Sequence, residues 1–181
     1  MIPAGMIGSV KSADSTNSGI VRRMARTLFN TWGDYLAAAD ALLARCPRSI
    51  LVFDGDLSAL RWQTAERLDI LGSLLAAHAD APLRIVLRDP HHFLVDAPRL
   101  QQLLQTWSHR AQVRQTPRAL AELRDAILIV DQQHALIRFE KDLPRSVLIE
   151  DSPSEVLPYR QRFEEIWQES AKNLLQSSLG L

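Results

Sequence analysis

The chain has 181 residues, 46% of them hydrophobic, and its 21 Lys plus Arg are balanced by 21 Asp plus Glu. That length suits one domain with a sizeable core, and a formal charge of zero argues against holding nucleic acid through a general basic field. The single cysteine, Cys46, excludes an intramolecular disulfide framework and a cysteine-rich metal site, and no apolar run is long enough to cross a bilayer.

Residues 1–17 are rich in Gly, Ser, Ala and Asn and poor in large side chains, so a flexible tail is expected. They lack the basic start and apolar stretch of a secretory signal, which makes a cytoplasmic location the default. From Ser18 onward Val21, Met24, Leu28, Tyr35, Leu36, Ala39, Leu42 and Leu43 recur at helical spacing. This predicts an amphipathic helix, bent at Gly33 and ending before Pro47, with Arg22, Arg23 and Arg26 on its wet face.

Residues 49–53 form a short apolar, β-prone run bounded by Pro47 and by Asp54-Gly-Asp56, the pattern of a buried strand. Residues 58–79 carry the helical period through Leu60, Ala65, Leu68, Leu71, Leu74 and Leu75. A second strand is expected over 83–87, ending in the loop signal Arg88-Asp89-Pro90-His91-His92. Asp96 is placed to cap the next helix, with Pro98 in its first turn and Leu100, Leu103, Leu104 and Trp107 on its buried face. Residues 112–115 read as a third strand and 117–124 as a short helix or turn.

This alternation implies parallel pairing with helices on the sheet faces. The rhythm then breaks. Residues 126–130 are a continuous apolar strand, Asp131-Gln-Gln133 a turn and 135–139 a second strand, which together make a hairpin. Residues 146–149 add one more strand. Ser152-Pro153-Ser154-Glu155 has the form of a capping box, with Ser152 accepting from the N–H of residue 155. Val156, Tyr159, Phe163, Ile166, Trp167, Ser170 and Leu174 follow on one face of a long C-terminal helix. Residues 18–181 thus read as a single α/β domain: a mixed, mostly parallel sheet with a β-hairpin and helices on both faces.

Three groups of residues carry candidate chemistry. Asp54 and Asp56 follow the first predicted strand, where α/β proteins place ligands, and two carboxylates there suit a cation such as Mg²⁺ or an aspartyl nucleophile. Turn chemistry with a helix cap at Asp56 or Ser58 explains the same Asp-Gly-Asp string. Arg88, Asp89, His91 and His92 follow the second strand and offer metal ligands, or simply a polar loop. Asp131 and His134 bracket the hairpin turn, as an acid–base pair or as ordinary turn residues. Trp32, Trp62, Trp107 and Trp167 mostly fall in helical apolar stripes and read as core or interface rather than as a stacking platform for bases. No cofactor motif is present, and no cofactor is expected.

Four segments carry a resemblance: Ser49-Ile-Leu-Val-Phe-Asp-Gly-Asp-Leu57, Leu83-Arg-Ile-Val-Leu-Arg-Asp-Pro90, Ala126-Ile-Leu-Ile-Val-Asp131 and Arg160-Gln-Arg-Phe-Glu-Glu-Ile-Trp167. In this order they resemble one half of the phospholipase D-like fold, in particular a mainly proteobacterial family of degenerate phospholipase D-like domains. The superfamily's catalytic motif is H-x-K-x-x-x-x-D. Asp131 matches its Asp, but Arg124 stands at the His position and Ala126 at the Lys position. That His forms the phosphohistidine intermediate and that Lys steadies the phosphate.

The resemblance therefore implies a catalytically degenerate domain kept as a binding or interaction module. The superfamily's halves pair face to face, so it also implies a homodimer, and a protein partner is expected; the balanced charge argues against nucleic acid and the lack of a long apolar run against a membrane. The candidate cleft then gathers Asp54, Asp56, Arg88, Asp89, His91, His92, Asp131 and His134. The alternative is a metal-dependent phosphate-ester hydrolase with an altered site, built from Asp54, Asp56, His91, His92 or Asp131. It requires those side chains to converge within ligand-bond reach.

Overall fold

The computed structural model describes residues 25–77, 82–170 and 173–175. The tail expected over 1–17 and the first part of the expected N-terminal helix lie outside them. The strands are β1 (Ala25–Phe29), β2 (Ile50–Asp54), β3 (Leu83–Leu87), β4 (Ala111–Gln115), β5 (Ala126–Val130), β6 (His134–Arg138) and β7 (Ser146–Glu150). The helices are α1 (Trp32–Leu43), α2 (Ala65–Ala77), α3 (His91–Asp96), α4 (Pro98–Thr106) and α5 (Pro153–Glu169).

The strands form one seven-stranded sheet in the order β1-β7-β6-β5-β2-β3-β4. Helical crossovers make β2, β3 and β4 parallel neighbours, as the alternation requires. The tight turn after Val130 makes β5 and β6 an antiparallel hairpin, and β2–β5, β6–β7 and β1–β7 are antiparallel as well. The sheet is mixed as expected, but its parallel part is confined to β2–β3–β4.

β2 and β5 are buried along their whole length, which is why they read as unbroken apolar runs. Alternate residues face two layers. Ile50, Val52, Leu128 and Val130 pack with α1 to α4 through Tyr35, Leu42, Leu71 and Leu100. Leu51, Phe53, Ile127 and Ile129 pack under α5 through Val156, Phe163, Ile166 and Trp167. The outer edge of β4 is occupied. The Val113 N–H donates to Asn173 Oδ1 at 3.0 Å, just beyond α5.

Several local expectations are corrected. The predicted N-terminal helix is divided: residues 25–29 are strand β1, and only the part from Trp32 is helical. β-prone Thr27, Leu28 and Phe29 find backbone partners on β7. Thr31 then starts α1, since its Oγ1 accepts the Asp34 N–H at 3.1 Å and donates to Asp34 Oδ2 at 2.7 Å. Gly33 lies in the first turn rather than at a bend, and Arg26 sits on β1, 3.8 Å from Glu155. The helix expected over 58–79 begins as a 3-10 turn at Ser58–Leu60 and turns α-helical only from Ala65.

Where a loop was expected, His91–Asp96 is a helix. Asp89 Oδ1 accepts the His91 N–H at 2.9 Å and organises its start. Asp96 ends α3 instead of capping α4, which opens on Pro98 without a side-chain cap. Ser152 likewise makes no side-chain cap for α5. Its own N–H donates to Gln133 O at 3.0 Å, tying α5 to the hairpin turn.

Candidate functional site

β2 and β3 end at the edge of the sheet where β5 begins and β6 ends. Four largely apolar strands therefore bring the polar residues at or next to their ends to one place. Arg138 Nη2 donates to Asp54 Oδ1 at 3.0 Å, with Arg138 2% and Asp54 1% exposed. Arg138 Nη1 also donates to the Lys141 carbonyl, and its guanidinium lies over the Trp32 and Tyr35 rings at 5.3 and 5.4 Å. Arg88 Nη1 donates to Asp125 O at 2.5 Å, while its guanidinium covers Phe53 at 4.9 Å. Gly55 lies against that group, and a Cβ there would stand in ordinary contact with Arg88 Nη2 at 3.4 Å.

The electrostatics follow from this burial. Loss of water pushes the Asp54 carboxyl up from the ordinary carboxylate range, opposed by Arg138, the Gly55 N–H and Arg88. Burial pushes Arg88 down, opposed by Asp54 and Asp125. Burial, then Asp54, pushes the Tyr35 phenol up, against Arg138, so Tyr35 stays neutral. Asp54 Oδ2, Arg88 Nη2 and Arg138 Nε are buried with no hydrogen-bond partner among the described residues.

Above this floor opens a cleft of about 760 Å³, rimmed by Trp32, Asp56, Arg61, Asp89, Lys141 and Asp142. Leu57 and Arg61 adopt left-handed backbone, at φ 70° and 50°. Each costs of the order of 1 kcal/mol or more. Burial of Leu57, Leu60 and Trp62 holds this loop in place and leaves Arg61 at the mouth.

Of the expected site residues, Asp54, Asp56, Arg88 and Asp89 line this cleft. Asp56 makes the turn contacts, its Oδ1 accepting from the Ser58 N–H at 2.9 Å and Oγ at 2.7 Å. His91 and His92 lie on α3, outside the cleft lining, with His92 Nδ1 3.3 Å from Asp96 Oδ2. Asp131 and His134 belong to the opposite end of the sheet. β2 and β5 are antiparallel, so the carboxylates after their C-termini lie roughly 15 Å apart along the strands. Asp131 Oδ1 accepts the Arg48 and Ser49 N–H groups at 2.7 and 2.9 Å, and His134 Nδ1 accepts the Asp151 N–H at 3.1 Å. A single cleft holding all eight residues is therefore not formed. Among the described residues no group of three or more His, Cys, Asp or Glu is arranged to hold a metal ion.

Arg124 and Ala126 stand at the cleft end of β5. Arg124 is exposed and pairs with Glu140, and Ala126 is buried in the sheet. Sequence reasoning missed Arg138, Tyr35, Trp32, Arg61, Lys141 and Asp142. One signal was available for the first of them: a lone arginine in the apolar run Ala135-Leu-Ile-Arg-Phe139 has to find a carboxylate when that run is buried.

Several solved structures share this fold at low sequence identity. TrmBL2, an archaeal chromatin protein with a novel mode of DNA binding, matches with a TM-score of 0.61 and 11% identity, over 84% of this chain and 55% of that one. The present chain thus spans just over half the length of that protein. NucT from Helicobacter pylori matches with a TM-score of 0.56 and 10% identity, over 82% of this chain and 99% of that one. Nuc from Salmonella typhimurium, a phospholipase D family member, matches with a TM-score of 0.53 and 10% identity, over 82% and 98%. The fold is phospholipase D-like. No curated protein matches the chain, and no helix of the described residues is long and apolar enough to cross a membrane. The family is given by its sequence profile, which matches residues 31–176: the chain belongs to the domain of unknown function family DUF7931.

Proposed function

We propose that this domain is a catalytically degenerate phospholipase D-like half that works as a binding module, presenting the rim of its cleft to a partner. The observation that carries this reading is the cleft floor. Each of its charged side chains has an internal partner, Asp54 with Arg138 at 3.0 Å and Arg88 with the Asp125 carbonyl at 2.5 Å, although Asp54 Oδ2, Arg88 Nη2 and Arg138 Nε are left without one among the described residues. Phosphodiester transfer in the superfamily needs a histidine nucleophile and a lysine, and the corresponding residues here are Arg124 and Ala126. Among the described residues the cleft lining contains neither His nor Cys. The exposed part of the cleft is its rim, with Trp32 40% exposed beside Arg61 and Lys141. A bacterial homodimer accompanies this reading by resemblance, and a cytoplasmic location as the default for a start without a secretory signal pattern.

The test joins native mass spectrometry to an assay with bis(4-nitrophenyl) phosphate, with and without divalent cations. A dimer of unaltered mass and no turnover above buffer is expected. Turnover that disappears in Asp54→Asn would overturn the reading. Labelled single- and double-stranded DNA is the first binding probe, because one structural neighbour binds DNA. DNA bound through the rim is weakened in Arg61→Ala and Lys141→Ala, whereas DNA binding indifferent to both variants removes the cleft from consideration.

A further inference from the structure

At the end of the sheet remote from the cleft, three connecting segments are clasped together. Asp131 Oδ1 in the β5–β6 turn takes the Arg48 and Ser49 N–H groups of the link between α1 and β2, at 2.7 and 2.9 Å. The Ser152 N–H in the β7–α5 corner donates to Gln133 O at 3.0 Å. Arg45 reaches across to Glu150, and Arg160 of α5 reaches back to Gln132. His134 lies at the centre, 3% exposed.

We propose that His134 is the acid-sensitive latch of this clasp, and that adding a proton to it frees the N-terminal end of α5 from the sheet. Its Nδ1 accepts the Asp151 N–H at 3.1 Å, so Nδ1 carries no proton and the neutral ring bears its hydrogen on Nε2. Nε2 faces Arg45 Nη1 at 3.5 Å and Asp151 Oδ1 at 3.9 Å. A second proton has to enter at Nδ1, where it meets the Asp151 N–H donor against donor. The bond that positions the corner is then lost, and a new cation appears beside Arg45.

The surrounding carboxylates do not cancel this conflict. Glu150 is engaged by Arg45, Asp131 by two backbone amides, and the Asp151 side chain is half exposed. Burial first, and Arg45 second, hold the imidazole below the ordinary histidine range against the pull of Asp151, Glu150 and Asp131. Asp151 adopts φ 49°, and Asp131 and Gln132 adopt 51° and 63°. Side-chain and cross-segment bonds, rather than backbone preference, keep this corner in shape. Its release uncovers the start of α5, where Val156 seals the apolar face made by Leu51, Ile127 and Ile149.

The experiment is hydrogen exchange of the whole chain read by mass spectrometry, corrected for intrinsic rates, from about pH 7.5 to about pH 5.5. Protection over residues 150–158 is expected to fall by about tenfold or more, while β2 and β3 stay protected. His134→Gln stays neutral and keeps an oxygen to accept the Asp151 N–H, so it is expected to hold its protection at both pH values. Equal loss in His134→Gln, or no loss in the unsubstituted protein, overturns the proposal. Nitrogen NMR of the unsubstituted protein decides the case independently of that variant. An Nε2–H tautomer titrating below free histidine supports the latch, and an Nδ1–H tautomer refutes it.

Discussion

Arg138 and Asp54 are joined across a strand that separates them. β5 lies between β6 and β2, and the 3.0 Å bond from Arg138 Nη2 to Asp54 Oδ1 passes over its first residue, Ala126. Arg138 pairs with Ala126 in the ladder, and the register of β2 on β5 carries the same row to Asp54. A small side chain at 126 is what lets the guanidinium span the row. Position 126 is thus under a steric and electrostatic demand of its own.

Ala126→Lys tests that demand. A long cation would press into a buried row beside Arg138, combining overpacking with like charge. A loss of about 3 kcal/mol or more in urea unfolding is expected, and a near-neutral result removes the row argument.

Breaking the pair from one side leaves an uncompensated buried charge. Asp54→Ala is expected to cost about 3–5 kcal/mol, whereas Asp54→Leu combined with Arg138→Leu recovers much of the loss. Equilibrium unfolding of the single and double variants reads the coupling. Additive losses show that the two groups act separately.

Acid sensitivity has a definite sign. The folded-state value of His134 is depressed, so the folded and unfolded chains are both neutral at this residue above the ordinary histidine value of about 6.5. As pH falls through that value the unfolded chain takes up a proton that the folded chain resists, and stability drops until the folded ring titrates in turn. Urea midpoints measured from neutral to mildly acid pH should therefore fall, and His134→Gln should flatten the curve there.

Tyr35 offers an alkaline counterpart. Burial and the Asp54 carboxylate keep its phenol neutral. Absorbance near 295 nm should therefore show a tyrosinate step that arrives together with unfolding, and Tyr35→Phe should remove it.

Asn173 closes the β4 edge with a single side-chain acceptor for the Val113 N–H. Asn173→Ala is expected to cost about 1 kcal/mol and to speed amide exchange at Val113 before other β4 positions. Unchanged exchange there would mean that the amide is protected in another way.

The parts of the fold that were readable from sequence are those whose cause is local. β2, β3 and β5 announce themselves as apolar runs because both sheet faces are covered. α5 announces itself by its periodic stripe through Phe163 and Trp167. β1 did not, since its five residues become a strand only by borrowing partners from β7, more than a hundred positions away. The site followed the same rule. Asp54, Asp56, Arg88 and Asp89 were found because topology sends the ends of parallel strands to one edge. Arg138 was missed because its carboxylate is 84 residues distant. Asp131 was misplaced because an antiparallel neighbour carries its own C-terminus to the far edge.

The two borders of the sheet are unequal. On the β4 side Asn173 occupies a ladder amide, while on the β1 side no strand lies beyond Ala25–Phe29 among the described residues, and Leu28 is 65% exposed. A side-chain acceptor at Val113 blunts the β4 border, because an amide already taken cannot donate to an incoming strand.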